Sequence, residues 1–171
     1  MFPKSEHAAG IAMEIPGILV KQGKLVPAIK EYNDYLAKYG QAGGIDRRLL
    51  VYLRIANTYK KMSGVKNAIA AREGYDKVIA VYDALTEDEK RQVSSVGLAA
   101  VAEAMMVKGE AVLDAMRAIK LSGGIAVVSG QIAKKLELSE QAMTIFNTVE
   151  KFGQPNWTIA AYSRRGFGFQ E

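Results

Sequence analysis

The strongest constraint on this chain is that it repeats itself. Ala28-Ile29 … Tyr32-Asn33 … Lys38-Tyr39-Gly40-Gln41 returns as Ala142-Met143 … Phe146-Asn147 … Lys151-Phe152-Gly153-Gln154, one residue shorter. A second matching stretch follows each copy. Tyr52, Arg54, Ala56 and Tyr59 in the first correspond to Tyr162, Arg164, Gly166 and Phe169 in the second, after loops that differ by three residues. Ala71, Tyr75 and Val78 give a third copy of the first element, and Ala111, Ala115 and Ala118 a fainter one. Self-similarity of this kind marks stacked units, none of which buries its apolar face alone. A small residue lets a neighbouring helix approach, and an aromatic one turn away fills the space beside it. Amphipathic helices in a simple bundle also carry small and aromatic core positions. The matched Asn, Arg and Gly-Gln positions argue for repeats.

The periodicity is helical throughout, and no segment alternates with period two for long enough to make a strand. A first helix is predicted from about Ser5 to Gln22, with a kink or break at Pro16-Gly17. Proline inside a helix removes a hydrogen bond and clashes with the preceding turn. A second runs from about Val26-Pro27 to Tyr39, with Ala28, Ile29, Tyr32, Tyr35 and Leu36 on one face, and stops at Gly40. Asp46 is the expected cap of a third, Arg47 to about Met62. A fourth spans about Val65 to Leu85. Thr86 and Glu89 have capping-box spacing and open a fifth, broken near Ser94 to Gly97 and continuing to about Lys120. A sixth runs from about Ala126 or Gln131 to Phe152. Asn156 is the expected cap of a last helix from Trp157 onward.

These residues resemble the tetratricopeptide pattern. Ile55, Ala56 and Tyr59 match its helix A. Ala28 and Tyr32 match helix B of the repeat before, with Tyr35 larger than the family expects. Ala71, Tyr75 and Val78 resemble the next helix B after about three extra residues, and Pro16 stands where a small residue is expected. The resemblance implies an all-α, tetratricopeptide-like array of antiparallel helix hairpins with an atypical long-helix middle segment. It implies a single domain over residues 1–171: two repeats in 1–85, a helical insertion over 86–130, and a last helix B with an unpaired helix A over 131–171.

A narrower likeness covers Phe152 to Gly166, with Arg117 to Gly123 before it. This run is similar to repeat proteins of deltaproteobacterial gliding-motility and envelope machineries. It implies a scaffold in the periplasm or at the outer membrane if a signal has been removed, and in the cytoplasm otherwise. A helix A without its helix B leaves an apolar face. A homodimer, exchange of the last helix with a second chain, or further sequence would cover it.

Reactive constellations are missing from the sequence. With 0 Cys, thiolate chemistry and disulfides are excluded, and the 1 His is His7, near the N-terminus without evident partners. Gly166-Phe167-Gly168 lacks the strand–helix context of a nucleotide loop. Glu87, Asp88 and Glu89 suit a helix start. No catalytic residue, metal or cofactor is expected, and the chain is not read as an enzyme. The longest apolar run, Val96 to Val107, is interrupted by Gly97 and Glu103 and is too short to span a bilayer. The residues Met1 to His7 do not form a signal peptide.

The net charge of +5 is spread along the helices, with no basic block interleaved with aromatics. Nucleic acid is therefore not an expected partner. In a stacked array the A helices line a concave groove. That places Leu50, Leu53, Arg54, Asn57, Lys60 and Lys61 on the groove face of the third helix, and Ser163, Arg164 and Phe167 on that of the last. Asn bonds a peptide backbone, and Lys and Arg hold carboxylates. The expected function is a protein–protein interaction scaffold holding a partner peptide or protein, of acidic character, in that groove. The alternative is a helical module for a non-protein ligand such as cell-wall glycan or lipid, which a deep apolar pocket would favour.

Overall fold

The computed structural model describes residues 6–41 and 43–168, with side chains described over 10–41 and 43–166. Among them are eight helices and no strand. They are α1 (Glu6–Lys21), α2 (Leu25–Tyr39), α3 (Gly44–Lys60), α4 (Val65–Asp83), α5 (Glu87–Gln92), α6 (Ser95–Ala118), α7 (Ile125–Lys151) and α8 (Pro155–Gly168). The protein is all-α. No helix among the described residues is long and apolar enough to cross a membrane. The chain gathers into two compact units, Met1–Val101 and Ala102–Glu171.

In the first unit α1 packs on α2, α2 on α3 and α3 on α4. The turn from α1 to α2 uses Gly23 at φ 74°, a left-handed conformation that side chains rarely adopt. Met13, Tyr32, Tyr35, Tyr39, Val51 and Ile55 form a buried cluster shared by α1, α2 and α3. The rings of Tyr35 and Tyr39 lie 5.4 Å apart and tilted. The repeated positions divide. Ala111, Ala115 and Ala118 of the faintest copy, and Tyr162 and Gly166, are exposed. Ala28, Tyr32, Ala56, Ala71, Tyr75 and Val78 of the small–aromatic pattern are all buried. Helices α3 and α4 touch at Gly74, where a Cβ would come within 2.8 Å of the Ala56 Cβ.

Three features depart from the sequence reading. Helix α1 runs unbroken through Pro16, whose ring is fully buried. Packing of an apolar ring against the core offsets the lost hydrogen bond, so the expected break does not occur. Asp46 does not cap α3. The helix starts earlier, at Gly44, with Gly43 at its N-cap and no side-chain capping bond. The Asp46 carboxylate instead accepts the Ser94 backbone N–H at 2.9 Å, at the entry to α6. Asn156 is likewise not a cap but lies inside α8, which starts at Pro155. Proline is harmless at a first helical position, where its missing donor would be unpaired anyway.

The Thr86–Glu89 capping box is present at α5, and extended backbone at Val93 separates α5 from α6. In the second unit α7 packs on α8. Leu113 and Met116 of α6, Ala142, Phe146 and Val149 of α7, and Ala161 of α8 are buried. Arg164 pairs with Glu110 of α6. Arg165 pairs with Glu150 of α7 at 2.6 Å.

Candidate functional site

Helices α1, α2 and α3 enclose a cleft of about 350 Å³. One wall is α1, which contributes Glu14, Gly17, Ile18, Val20 and Lys21. Residues 14, 18 and 21 fall one and two turns apart, so an unbroken α1 presents them together. The other wall is the C-terminal half of α3 with its cap, which contributes Arg54, Asn57, Thr58 and Lys61 at the same spacing. Tyr32 of α2 lies between the walls and is almost fully buried.

The polar groups of the cleft divide into those already engaged and those facing solvent. The Thr58 hydroxyl donates to the Arg54 carbonyl at 2.6 Å, one turn back in its own helix. The Asn57 Oδ1 accepts the Tyr75 hydroxyl of α4 at 2.6 Å. Burial pushes the Tyr32 phenol above its ordinary pKa. The Arg54 guanidinium, facing that hydroxyl, pulls it back down, and Glu14 adds to the rise. Tyr32 is therefore a neutral hydrogen-bonding group at physiological pH.

The remaining charges are those of Lys21, Arg54 and Lys61 against the single carboxylate of Glu14. Lys21, Lys61 and Glu14 are exposed and Arg54 is half-buried. The cleft thus carries an excess of positive charge. It can hold a carboxylate through Arg54 and steer acidic groups toward it through the lysines.

The nine positions expected to line a groove have different surroundings. Arg54, Asn57 and Lys61 line the cleft together. Leu53 is buried in the core, and Leu50 packs half-buried against the tyrosine cluster. Lys60 is exposed and does not line the cleft. Ser163 is exposed on α8, and Arg164 is held by Glu110. The Phe167 side chain lies outside the described residues. The sequence reading missed the α1 wall, Glu14, Gly17, Ile18 and Lys21. Their helical spacing was visible, but the break expected at Pro16 kept the first helix from being projected as a face. Among the described residues there is no group of His, Asp or Glu placed to hold a metal ion.

No family model, no curated protein and no solved structure matches the chain.

Proposed function

We propose that this chain is a tetratricopeptide-like scaffold that takes an acidic peptide segment of a partner protein in the α1–α2–α3 cleft. The observation that carries this reading is the convergence of Lys21, Arg54 and Lys61 on a cleft whose walls hold one carboxylate, Glu14. A partner carboxylate meeting Arg54 gains a forked, charge-assisted pair of hydrogen bonds. Ile18, 51% exposed, and the bare backbone at Gly17 give an adjoining side chain an apolar wall. Burial of Ala28 with Tyr32, Ala71 with Tyr75 and Ala142 with Phe146, and the successive packing of α1, α2, α3 and α4, support a repeat array. The charged walls favour a peptide over glycan or lipid. A place in an envelope or gliding-motility assembly is supported by the likeness of residues 117–123 and 152–166.

The test is fluorescence anisotropy with two labelled peptide pools, one rich in Glu and Asp and one with Gln and Asn at those positions. The acidic pool is expected to bind and to weaken as salt rises. Arg54→Ala with Lys61→Ala should weaken it by about tenfold or more, the usual scale for removing a charged anchor, without lowering the melting temperature. Equal binding of both pools, or indifference to the double substitution, overturns the reading.

A further inference from the structure

Helix α8 repeats α3, and the two helices differ in what covers them. Tyr52, Arg54 and Ala56 of α3 correspond to Tyr162, Arg164 and Gly166 of α8. The same offset pairs Leu49 with Ile159, Val51 with Ala161 and Leu53 with Ser163. One side of each helix is treated alike. Val51 and Ala161 are both fully buried, and α3 packs on α2 as α8 packs on α7. The other side is not. Positions 49, 52, 53 and 56 fall on one face of α3. There Leu49 and Ala56 are fully buried and Leu53 nearly so. On α8 the matching face is open. Ile159 is 69% exposed and Tyr162 58%, and Ser163 and Gly166 are exposed beside them.

What covers this face on α3 is α4. A Cβ at Gly74 would come within 2.8 Å of the Ala56 Cβ, and the Lys77 Nζ lies 5.9 Å from the centre of the Tyr52 ring. Residues 74 and 77 ascend α4 while 56 and 52 descend α3, so the two helices are antiparallel. At Gly166, the counterpart of Ala56, a Cβ would meet none of the described residues outside its own helix within 4 Å. We propose that α8 receives a helix of the α4 type from a partner protein, docked antiparallel along Ile159, Tyr162, Ser163 and Gly166.

The chemistry of that helix follows from α4. Gly74 sits where the two backbones approach most closely, and the apolar residues nearest to it along α4, Ala71 and Val78, are buried. A helix docked on α8 therefore needs a small residue opposite Gly166 and an apolar residue one turn to either side. The face asks for no charge. Arg164 and Arg165 are already paired, with Glu110 and Glu150. This occupant is thus a neutral amphipathic helix, distinct from the acidic segment proposed for the cleft. A second copy of the chain could offer its own α4 only by withdrawing Ala71, Tyr75 and Val78 from its core. That cost selects a different chain. The contact is that of one helix and belongs with weak, transient interfaces.

The chain has 1 Trp, Trp157, and it lies in α8, so its fluorescence reports docking there. The probe is a synthetic peptide of the 19 residues Val65–Asp83, blocked at both ends. It contains no Trp, and its basic residues Lys66, Arg72 and Lys77 balance Glu73, Asp76 and Asp83, so the cationic cleft does not attract it. A saturable change in Trp157 emission is expected on adding it to the full chain. Helicity should rise with it, since an isolated helix of this length is marginal in water. A peptide carrying Gly74→Leu should bind at least about tenfold more weakly, and so should a full chain carrying Gly166→Leu or Ile159→Glu. Gly166→Leu enters open space and replaces glycine with a better helix former, so its thermal melt should not fall. No saturable change, an equal response to a scrambled peptide, or binding indifferent to both substitutions in α8 overturns the proposal. So does a chain that dimerises by itself in sedimentation velocity and loses the dimer on Gly166→Leu. So does a Trp157 shift produced equally by lipid vesicles without peptide.

Discussion

Gly109 of α6 lies against the ring of Phe146 of α7, and a Cβ at Gly109 would fall 2.5 Å from Cε1 and 2.8 Å from Cζ. Both residues are buried. Two opposing effects meet at this position. Alanine is favoured over glycine in a helix by about 1 kcal/mol, but overpacking a tight contact costs about 1–3 kcal/mol. The ring is held among buried neighbours and has little room to retreat, so the clash should win. Gly109→Ala is expected to destabilise the protein in urea denaturation, and Phe146→Ala to cost about 3–5 kcal/mol. In a Phe146→Leu background, Gly109→Ala should cost less or become neutral. A stabilised Gly109→Ala protein would show that the two helices do not approach so closely.

The Tyr75–Asn57 hydrogen bond joins the rear of the cleft to α4. Tyr75→Phe keeps the ring and removes only the donor. It should cost about 1 kcal/mol. Its effect on the site should be selective, because Asn57 loses the Tyr75 hydroxyl while Arg54, Lys21 and Lys61 are untouched. Acidic-peptide affinity should fall only slightly, whereas Arg54→Ala should reduce it strongly with little change in urea midpoint. Equal losses from the two substitutions would mean that the Tyr75–Asn57 bond, and not positive charge, governs binding.

The capping box at α5 makes a pH-dependent contribution. The Glu89 carboxylate accepts the Thr86 backbone N–H at 2.8 Å and the Thr86 hydroxyl at 3.0 Å. Those bonds hold its pKa below the ordinary 4.5. A carboxyl with a depressed folded-state pKa stabilises the fold at pH above its unfolded value, and that contribution disappears as pH falls through the folded one. The stability difference between wild type and Glu89→Gln should therefore be constant near neutrality and shrink below about pH 4.5. Urea midpoints measured between neutral and acidic pH check this. A difference that persists unchanged in acid would mean the ionised carboxylate is not the stabilising species.

The all-α character was legible because apolar residues recur at helical spacing almost everywhere. The repeated positions Ala28, Tyr32, Ala56, Tyr75, Ala142 and Phe146 all prove to be buried. The α3 wall of the cleft was legible for the same reason, since Arg54, Asn57 and Lys61 follow one another by turns of a single helix. Leu53 was read one face too wide and is a core residue. The α1 wall was not legible. Local energetics argued for a break at Pro16, and the burial of its ring, which keeps the helix whole, is a tertiary effect that a local reading does not weigh. The partner of Asp46 was equally hidden, because it lies 48 positions away.

That long-range contact supplies a further prediction. The Asp46 Oδ1 holds the Ser94 backbone N–H, one residue before α6 begins. It acts as an N-cap donated by a distant helix. Gly97, in the first turn of α6, leaves room for that carboxylate, and a Cβ there would collide with the same oxygen. Asp46→Ala should cost about 0.5–2 kcal/mol, the range for losing a cap. Gly97→Ala should cost a similar amount by displacing the carboxylate, despite the better helix propensity of alanine. Once Asp46 is alanine, the added methyl still meets Val93 Cγ1, 2.6 Å from a Cβ at Gly97, but no longer the carboxylate. The double variant should therefore be more stable than the sum of the two losses implies, with a coupling of about 0.5 kcal/mol or more, as residues sharing one contact give. Strict additivity in a urea-denaturation cycle would mean that Gly97 and Asp46 act independently, and that the start of α6 is held by something other than this carboxylate.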